Sequence, residues 1–391
     1  ITDDDSISFT GINIDKGKSN GAREVFLADM DSDGDLDIVV GSSVDHTIAW
    51  FENDGADNPG FSHANIATTA KSASDVMVAD MDADGDLDIV SASSGDNTIA
   101  WYENDGAADP TWSAVDIATS ANGAYSVDVA DMDGDGDLDI VSASDTDNTI
   151  AWYEHDGAAD PSWTAADIAT NVDGARGLSV ADMDGDGDFD IVSAARDDDA
   201  IDWFENDGAA DPTWTKANIA TTADGALDAK VADMDGDGDM DIISASHLDD
   251  TIAWYENDGA ADPTWTAANI ATDADGAVDL EAADMDGDGD MDIVAGSRLD
   301  DTVSWYENDG AANPSWTAVD IDTSGDWVRD VHIGDLDGDG DLDIVVASRN
   351  DDTIAWYENT CDGSDPLVLD LDGDGIELLG LGSGVQFDVD A

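Results

Sequence analysis

The chain has 391 residues and carries 95 Asp plus Glu against 11 Lys plus Arg, a formal charge of −84. Such a surface repels nucleic acid and anionic membranes, and a lone cysteine, Cys361, excludes an internal disulfide framework. No apolar run approaches the ~20 residues of a membrane span. Residues 1–20 show neither the basic nor the apolar region of a signal peptide; if the protein is secreted, the mature form is the expectation.

The organising element is a nine-residue acidic loop, Asp131-Met132-Asp133-Gly134-Asp135-Gly136-Asp137-Leu138-Asp139 in its third copy, followed at once by apolar Ile140-Val141-Ser142-Ala143. Copies begin at Asp29, Asp80, Asp131, Asp182, Asp233, Asp284 and Asp335, always 51 residues apart. A fixed period overrides the two or three domains that length alone suggests and makes this a single repeat array.

Taken in chain order, Ser8 to Ile14 comes first and reads as the last strand of a repeat whose other strands are missing, with Phe9 in the place Trp112 holds later. Each full repeat then gives four strands. In the second copy these are Asp75–Ala79 before the acidic loop, Leu87–Ala92 after it, Thr98–Glu103 beyond a polar turn, and Trp112–Ile117 beyond an Asn-Asp-Gly loop. β-Branched and aromatic residues between Gly, Asn, Asp and Pro carry the signal, and no helix is expected. The seventh copy loses the pattern after Asn359, so the N-terminal strand is expected to complete the last unit, with the tail segment Asp365-Pro366-Leu367-Val368-Leu369 as a competitor for the same place. The fold class predicted is all-β, a seven-bladed β-propeller over residues 1–360 with a C-terminal extension over 361–391.

The loop collects carboxylates at positions 1, 3, 5 and 9, and Gly at position 6 permits a sharp turn that aims the carbonyl of position 7 at the same point. Oxygen-only ligation and flexible geometry suit Ca²⁺ better than Mg²⁺, and no His or Cys is placed for Zn²⁺. Seven calcium sites are therefore expected. The candidate ligands are Asp29, Asp31, Asp33, Asp35 and Asp37; Asp80, Asp82, Asp84, Asp86 and Asp88; Asp131, Asp133, Asp135, Asp137 and Asp139; Asp182, Asp184, Asp186, Asp188 and Asp190; Asp233, Asp235, Asp237, Asp239 and Asp241; Asp284, Asp286, Asp288, Asp290 and Asp292; and Asp335, Asp337, Asp339, Asp341 and Asp343. A solvated Asp-Gly turn is the plain alternative for one copy, but not for seven in register. An EF-hand would need flanking helices and Glu at position 12, where the first copy has Val40.

A tryptophan recurs on every third strand, from Trp50 to Trp356, and Phe61, Trp112, Trp163, Trp214, Trp265 and Trp316 recur on the fourth. Repetition in every unit favours packing between blades over a sugar-stacking surface. Differences between units gather in two kinds of loop on the face opposite the acidic loops. One carries Arg23, Tyr125, Arg176 and Trp327, the other Arg196, His247, Arg298 and Arg349. Relief of carboxylate repulsion and ligand binding are both consistent with these arginines. In the tail, Asp370, Asp372 and Asp374 begin an eighth, degenerate loop, weaker because position 9 is Leu378.

Asp-x-Asp-x-Asp-Gly-x-x-Asp followed by Ile-Val resembles the FG-GAP repeats of integrin α-subunit propellers. With Asp-Ile-Val-Ser-Ala-Ser and Thr-Ile-Ala-Trp-Tyr-Glu-Asn-Asp-Gly the repeat looks still more like the VCBS-type repeats of bacterial and archaeal secreted proteins. The tail's Leu-Val-Leu-Asp-Leu-Asp-Gly-Asp-Gly-Ile-Glu resembles a segment of large bacterial calcium-binding exoproteins. The resemblance implies a seven-bladed propeller with Ca²⁺ in the loop joining the first two strands of each blade. It implies no single function, because such propellers serve adhesion, sugar binding and some lyase and dehydratase reactions.

No enzyme activity is expected, since His46, His63, His155, His247 and His332 fall at five different places in the repeat and no nucleophile or zinc pattern appears. The expected role is a secreted, calcium-stabilised propeller in adhesion or extracellular assembly, pairing with itself through terminal strands into a head-to-tail homopolymer, or with a surface protein or glycan. The alternative is a carbohydrate-binding propeller of a polysaccharide-degrading or cell-surface system.

Overall fold

The computed structural model describes residues 7–360 apart from 57, 109, 159 and 160. The tail 361–391, with its expected eighth loop, lies outside the described residues. Alternating small and β-branched residues between Gly- and Asp-rich turns produce 28 strands, β1 to β28, and no helix among the described residues.

The strands form seven antiparallel sheets of four. Blade 1 comprises β2 (Ala22–Ala28), β3 (Asp37–Ser42), β4 (Thr47–Asn53) and β5 (Phe61–Ala67), hydrogen-bonded in that order. Blades 2 to 6 repeat this meander. In blade 7 the order is β26 (Val328–Gly334), β27 (Asp343–Ser348), β28 (Thr353–Asn359) and then β1 (Phe9–Lys16), so the two ends of the array share one sheet. Phe9 stands opposite Asn359 there, as Trp112 stands opposite Asn104 in blade 2. Closure of the ring removes the two open ends that a linear stack would leave.

Each first strand meets the first strands of both neighbouring blades, so these seven line the axis. The second strands are buried along their whole length, whereas the fourth strands keep exposed residues in their middle, Ser113 to Asp116 in blade 2. The core is seven clusters, each shared by two blades. In one, Met30, Ile48 and Trp50 of blade 1 pack on Val76, Ile89 and Tyr102 of blade 2. The third-strand tryptophans are nearly inaccessible, Trp101 at 2% and Trp356 at 1%, and so act as inter-blade packing. The fourth-strand aromatics are half-buried against the same clusters, as Trp112 and Trp163 show.

Side chains tie neighbouring blades at both ends of the contact. Near the axis, carboxylates accept amide hydrogens from the next blade: Asp330 from Val25 at 2.8 Å, Asp75 from Val127 at 2.8 Å, Asp128 from Val180 at 2.9 Å and Asp279 from Val331 at 2.9 Å. Farther out, an Asn ending the third strand donates to the carbonyl at acidic-loop position 2 of the preceding blade, as Asn104 does to Met30 at 3.1 Å and Asn206 to Met132 at 2.9 Å. Blade 3 has His155 in that place; it is 3% exposed, and its Nε2 has no partner.

Candidate functional site

The acidic loops form one rim of the disc. In blade 1 the Asp29 carboxylate accepts the amide hydrogens of Asp33 and Gly34, both at 3.0 Å, and Asp33 accepts that of Asp35 at 3.1 Å. These Asx-type bonds wind the loop into a tight bowl. The bowl needs left-handed backbone at two points: Ser32 has φ 60 and Gly34 φ 103, and Gly136 and Gly238 at the second point both have φ 100. A φ near 100 lies beyond the region open to side chains, which is why position 6 is glycine in every copy.

This winding brings positions 1, 3 and 5 together. Seven groups occur in which one oxygen from each carboxylate lies within 4.8 Å of the others; among them are Asp29, Asp31 and Asp33, and Asp131, Asp133 and Asp135. Burial, and then the charge of Asp33, raises the Asp31 carboxyl above the ordinary range, and its counterpart Asp286 is raised to about 6. Like charges held at that spacing disfavour one another's ionisation.

Positions 7 and 9 do different work. The Asp35 side chain lies against Gly55 in the Asn-Asp-Gly turn, leaving no room for a Cβ there, and is not one of the three clustered carboxylates. Asp37 is 1% exposed. Its Oδ2 accepts the Met30 amide hydrogen at 3.1 Å and its Oδ1 that of Asn53 at 2.8 Å. Burial lifts this carboxyl to about 7, with the charge of Asp31 adding to the rise. Position 9 thus anchors the loop to the third strand and stands outside the cluster of positions 1, 3 and 5.

The opposite rim is not repetitive. Its residues come from two columns of the repeat. The first is Arg23, Ser74, Tyr125, Arg176, Leu227, Val278 and Arg329; the second is Ser43, Ser94, Asp145, Arg196, His247, Arg298 and Arg349. The first column sits within the first strands, one or two residues from their start, rather than in the preceding loop as the sequence suggests. In each blade a β-bulge falls at this column, between Ala22 and Glu24 in blade 1 and between Ala124 and Ser126 in blade 3. Bulges re-aim side chains, and Arg23, Tyr125, Arg176 and Arg329 meet at the mouth of the axial channel. Arg329 escapes a reading by loops; aligning the seven copies column by column is the signal that finds it.

The mouth, about 370 Å³, is lined by Arg23, Arg176, Arg298, Arg329 and Arg349, with Asp145 as its single carboxylate. The remaining arginine, Arg196, reaches Asp145 at 3.7 Å and pairs with Asp197 at 2.6 Å. All six arginines of this acidic chain therefore converge on one place. At the centre Tyr125 is stacked between Arg23 and Arg176, whose guanidinium carbons lie 4.3 and 4.4 Å from the ring centroid. Its hydroxyl takes hydrogen bonds from Arg176 at 3.1 Å and Arg329 at 3.0 Å. Burial alone would raise the phenol; the three arginines outweigh it and bring Tyr125 down to about 7.

Below the mouth the channel narrows to about 170 Å³ and turns acidic, with Lys230 held among Asp228, Asp279, Glu281 and Glu24. The histidines do not converge: His46 accepts the Ser72 amide hydrogen at 3.1 Å, His63 packs edge-on to Phe51, His247 bonds the Gly225 carbonyl at 2.7 Å, and His332 pairs with Glu281 at 3.0 Å.

The profile of the FG-GAP-like repeat matches residues 29–91, 80–142, 131–193, 182–244, 233–295 and 287–346. The chain belongs to the FG-GAP-like repeat family. The comparison with curated proteins returns no match. Among solved structures, this FG-GAP-like chain is similar to that of "BBS1N in complex with ARL6DN", soaked with lead, at 11% identity and a TM-score of 0.58, covering 90% of this chain and 95% of the other. The mercury-soaked counterpart gives the same identity and TM-score over 90% and 97%. At that identity the likeness is one of fold.

Proposed function

We propose that this FG-GAP-like propeller is a secreted, calcium-stabilised module of adhesion or extracellular assembly that performs no catalysis. The observation that carries the reading is the set of seven oxygen-only bowls on one rim, each pre-wound by its own amide hydrogens and gathering three carboxylates within 4.8 Å. The donor chemistry fits Ca²⁺, which accepts six to eight oxygens and tolerates irregular geometry. In blade 1 it would be held by Asp29, Asp31, Asp33 and Asp37 with the Asp35 carbonyl, and in the other blades by their counterparts. Bound calcium neutralises the bowl and, through position 9 and the Asn or His that ends the third strand, braces one blade against the preceding one.

Self-assembly through a terminal strand has a defined place in this reading. β1 is joined to blade 7 by sheet pairing, by the contacts of Ser8 with Thr360 at 2.7 and 3.0 Å, and by packing of Phe9, Ile12 and Ile14 on the neighbouring cores, with no covalent continuity to β28. The same strand supplied by another copy would link propellers head to tail. Light scattering and negative-stain imaging, with millimolar calcium and then with chelator, test both parts. Chains of uniform beads that disperse on chelation support assembly, monomers in calcium argue against it, and thermal stability indifferent to chelator refutes the structural calcium.

A carbohydrate-binding propeller is the second reading, favoured by one observation: the asymmetric, arginine-lined mouth on the opposite rim.

A further inference from the structure

The mouth reverses the sign of the whole molecule. Five arginines against one carboxylate line it, in a chain with 95 acidic residues. Were these arginines only relieving carboxylate repulsion, each would have an acidic partner. Arg298 and Arg349 make no ion pair among the described residues, and neither do Arg23 and Arg329. The Nε groups of Arg176, Arg298 and Arg329 are buried without an acceptor. Arg298, desolvated and crowded first by Arg329, falls to about 10. Tyr125 occupies Arg23, Arg176 and part of Arg329, while Arg298 and Arg349 keep half-buried guanidinium groups without a carboxylate, a preorganised oxyanion receptor.

One position on this rim carries a bulky side chain in only one of its seven copies. The position before the first strand is Gly21, Gly123, Gly174, Gly225 and Gly276, with Ser72 in blade 2, and all have positive φ. Blade 7 places Trp327 there at φ 65, with Arg298 5.8 Å from its ring. A bulky residue in the left-handed region is strained, and such strain concentrates at ligand sites. Trp327 lines the mouth together with the hydroxyl-bearing Ser43, Ser72, Ser94 and Thr146. An indole wall, neutral hydroxyls and forked cations are the complement of a sugar ring that bears an acid.

We propose that the mouth binds an acidic saccharide, its carboxylate or sulfate held by Arg298, Arg329 and Arg349 and its ring set against Trp327. This rests on the carbohydrate-binding reading and names the ligand class. Because the surrounding surface repels polyanions, the ligand enters as a chain end or short segment. The volume of about 370 Å³ admits only one or two sugar rings.

The test is isothermal titration of the calcium-loaded full chain, at low ionic strength, with trigalacturonate, a sulfated galacto-oligosaccharide, a neutral galacto-oligosaccharide and sodium sulfate. At least one of the two acidic saccharides binds saturably, and the neutral saccharide and free sulfate bind at least tenfold more weakly, a difference of about 1.4 kcal/mol. Trp327→Gly restores the residue used by five other blades; it keeps or raises the melting temperature while weakening the acidic saccharide about tenfold. Arg298→Gln with Arg349→Gln does the same to affinity. Equal binding of the neutral saccharide overturns the acidic assignment yet leaves a carbohydrate site. Sulfate as tight as the saccharides overturns the sugar, and undiminished affinity in both variants overturns the location. No binding by any probe overturns this proposal and the carbohydrate reading together, and leaves the calcium reading untouched.

Discussion

The two rims of this propeller are built from the same repeat yet obey different rules. On the acidic rim every blade carries the same carboxylates, so each bowl is a local solution that depends on nine consecutive residues. On the basic rim the repeat columns hold Arg, Ser, Tyr, Leu, Val, Asp or His, and the site exists only where seven blades meet. Repetition marks what every blade needs in order to stand; departure from it marks what the ring as a whole can recognise.

Removing calcium should separate the rims most sharply. On the calcium reading proposed above, each site would stabilise by about 2.7 kcal/mol when calcium exceeds its dissociation constant a hundredfold. Chelation across seven sites therefore exceeds the total stability of a typical domain. Calorimetry with and without chelator should show the melting transition falling steeply or vanishing.

Next in size is a departure buried inside the repeat. Blade 4 has Asp202, fully buried, where the same column of the second, third and fifth blades has Ala, and it pairs with Lys216 at 2.7 Å. Lys216→Ala strands that carboxylate and should cost about 3 kcal/mol in urea unfolding, whereas the double change with Asp202→Ala should be close to neutral.

The basic rim should show its own pH dependence. Tyr125 sits near 7 in the fold, well below its ordinary value of 10.0. The phenolate is thus favoured by folding. Its contribution is complete above pH ~10, shrinks as pH falls toward 7 and is absent below, amounting to about 2 kcal/mol after screening. Comparing the melting temperatures of wild type and Tyr125→Phe from pH 6 to 10 should show a gap that opens only on the alkaline side.

The smallest expected effect is a gain. His155→Asn should restore the inter-blade bond that blade 3 lacks, here to the Met81 carbonyl, and stabilise by about 1 kcal/mol in the same unfolding assay.

Much of the molecule was legible before any coordinates, because a 51-residue period with alternating strands and Asp-Gly turns leaves few architectures. The inter-blade role of the tryptophans was legible for the same reason, since a residue needed seven times serves the contact made seven times. Position 9 was legible as a carboxylate but not as an anchor, because its partners Met30 and Asn53 come from the loop and from a strand 16 residues farther on. The bulges were not legible, so the first-column arginines read as loop residues.

By itself the sequence determined the number of blades, their strands and the seven acidic bowls, all of which arise from local spacing and turn chemistry. Tertiary structure alone decided that Arg23, Tyr125, Arg176 and Arg329, up to 306 residues apart in numbering, share one mouth, and that Trp327 stands at its edge. Ring closure decides this: it converts positions a whole number of repeats apart in sequence into neighbours around an axis, and no local pattern records that distance.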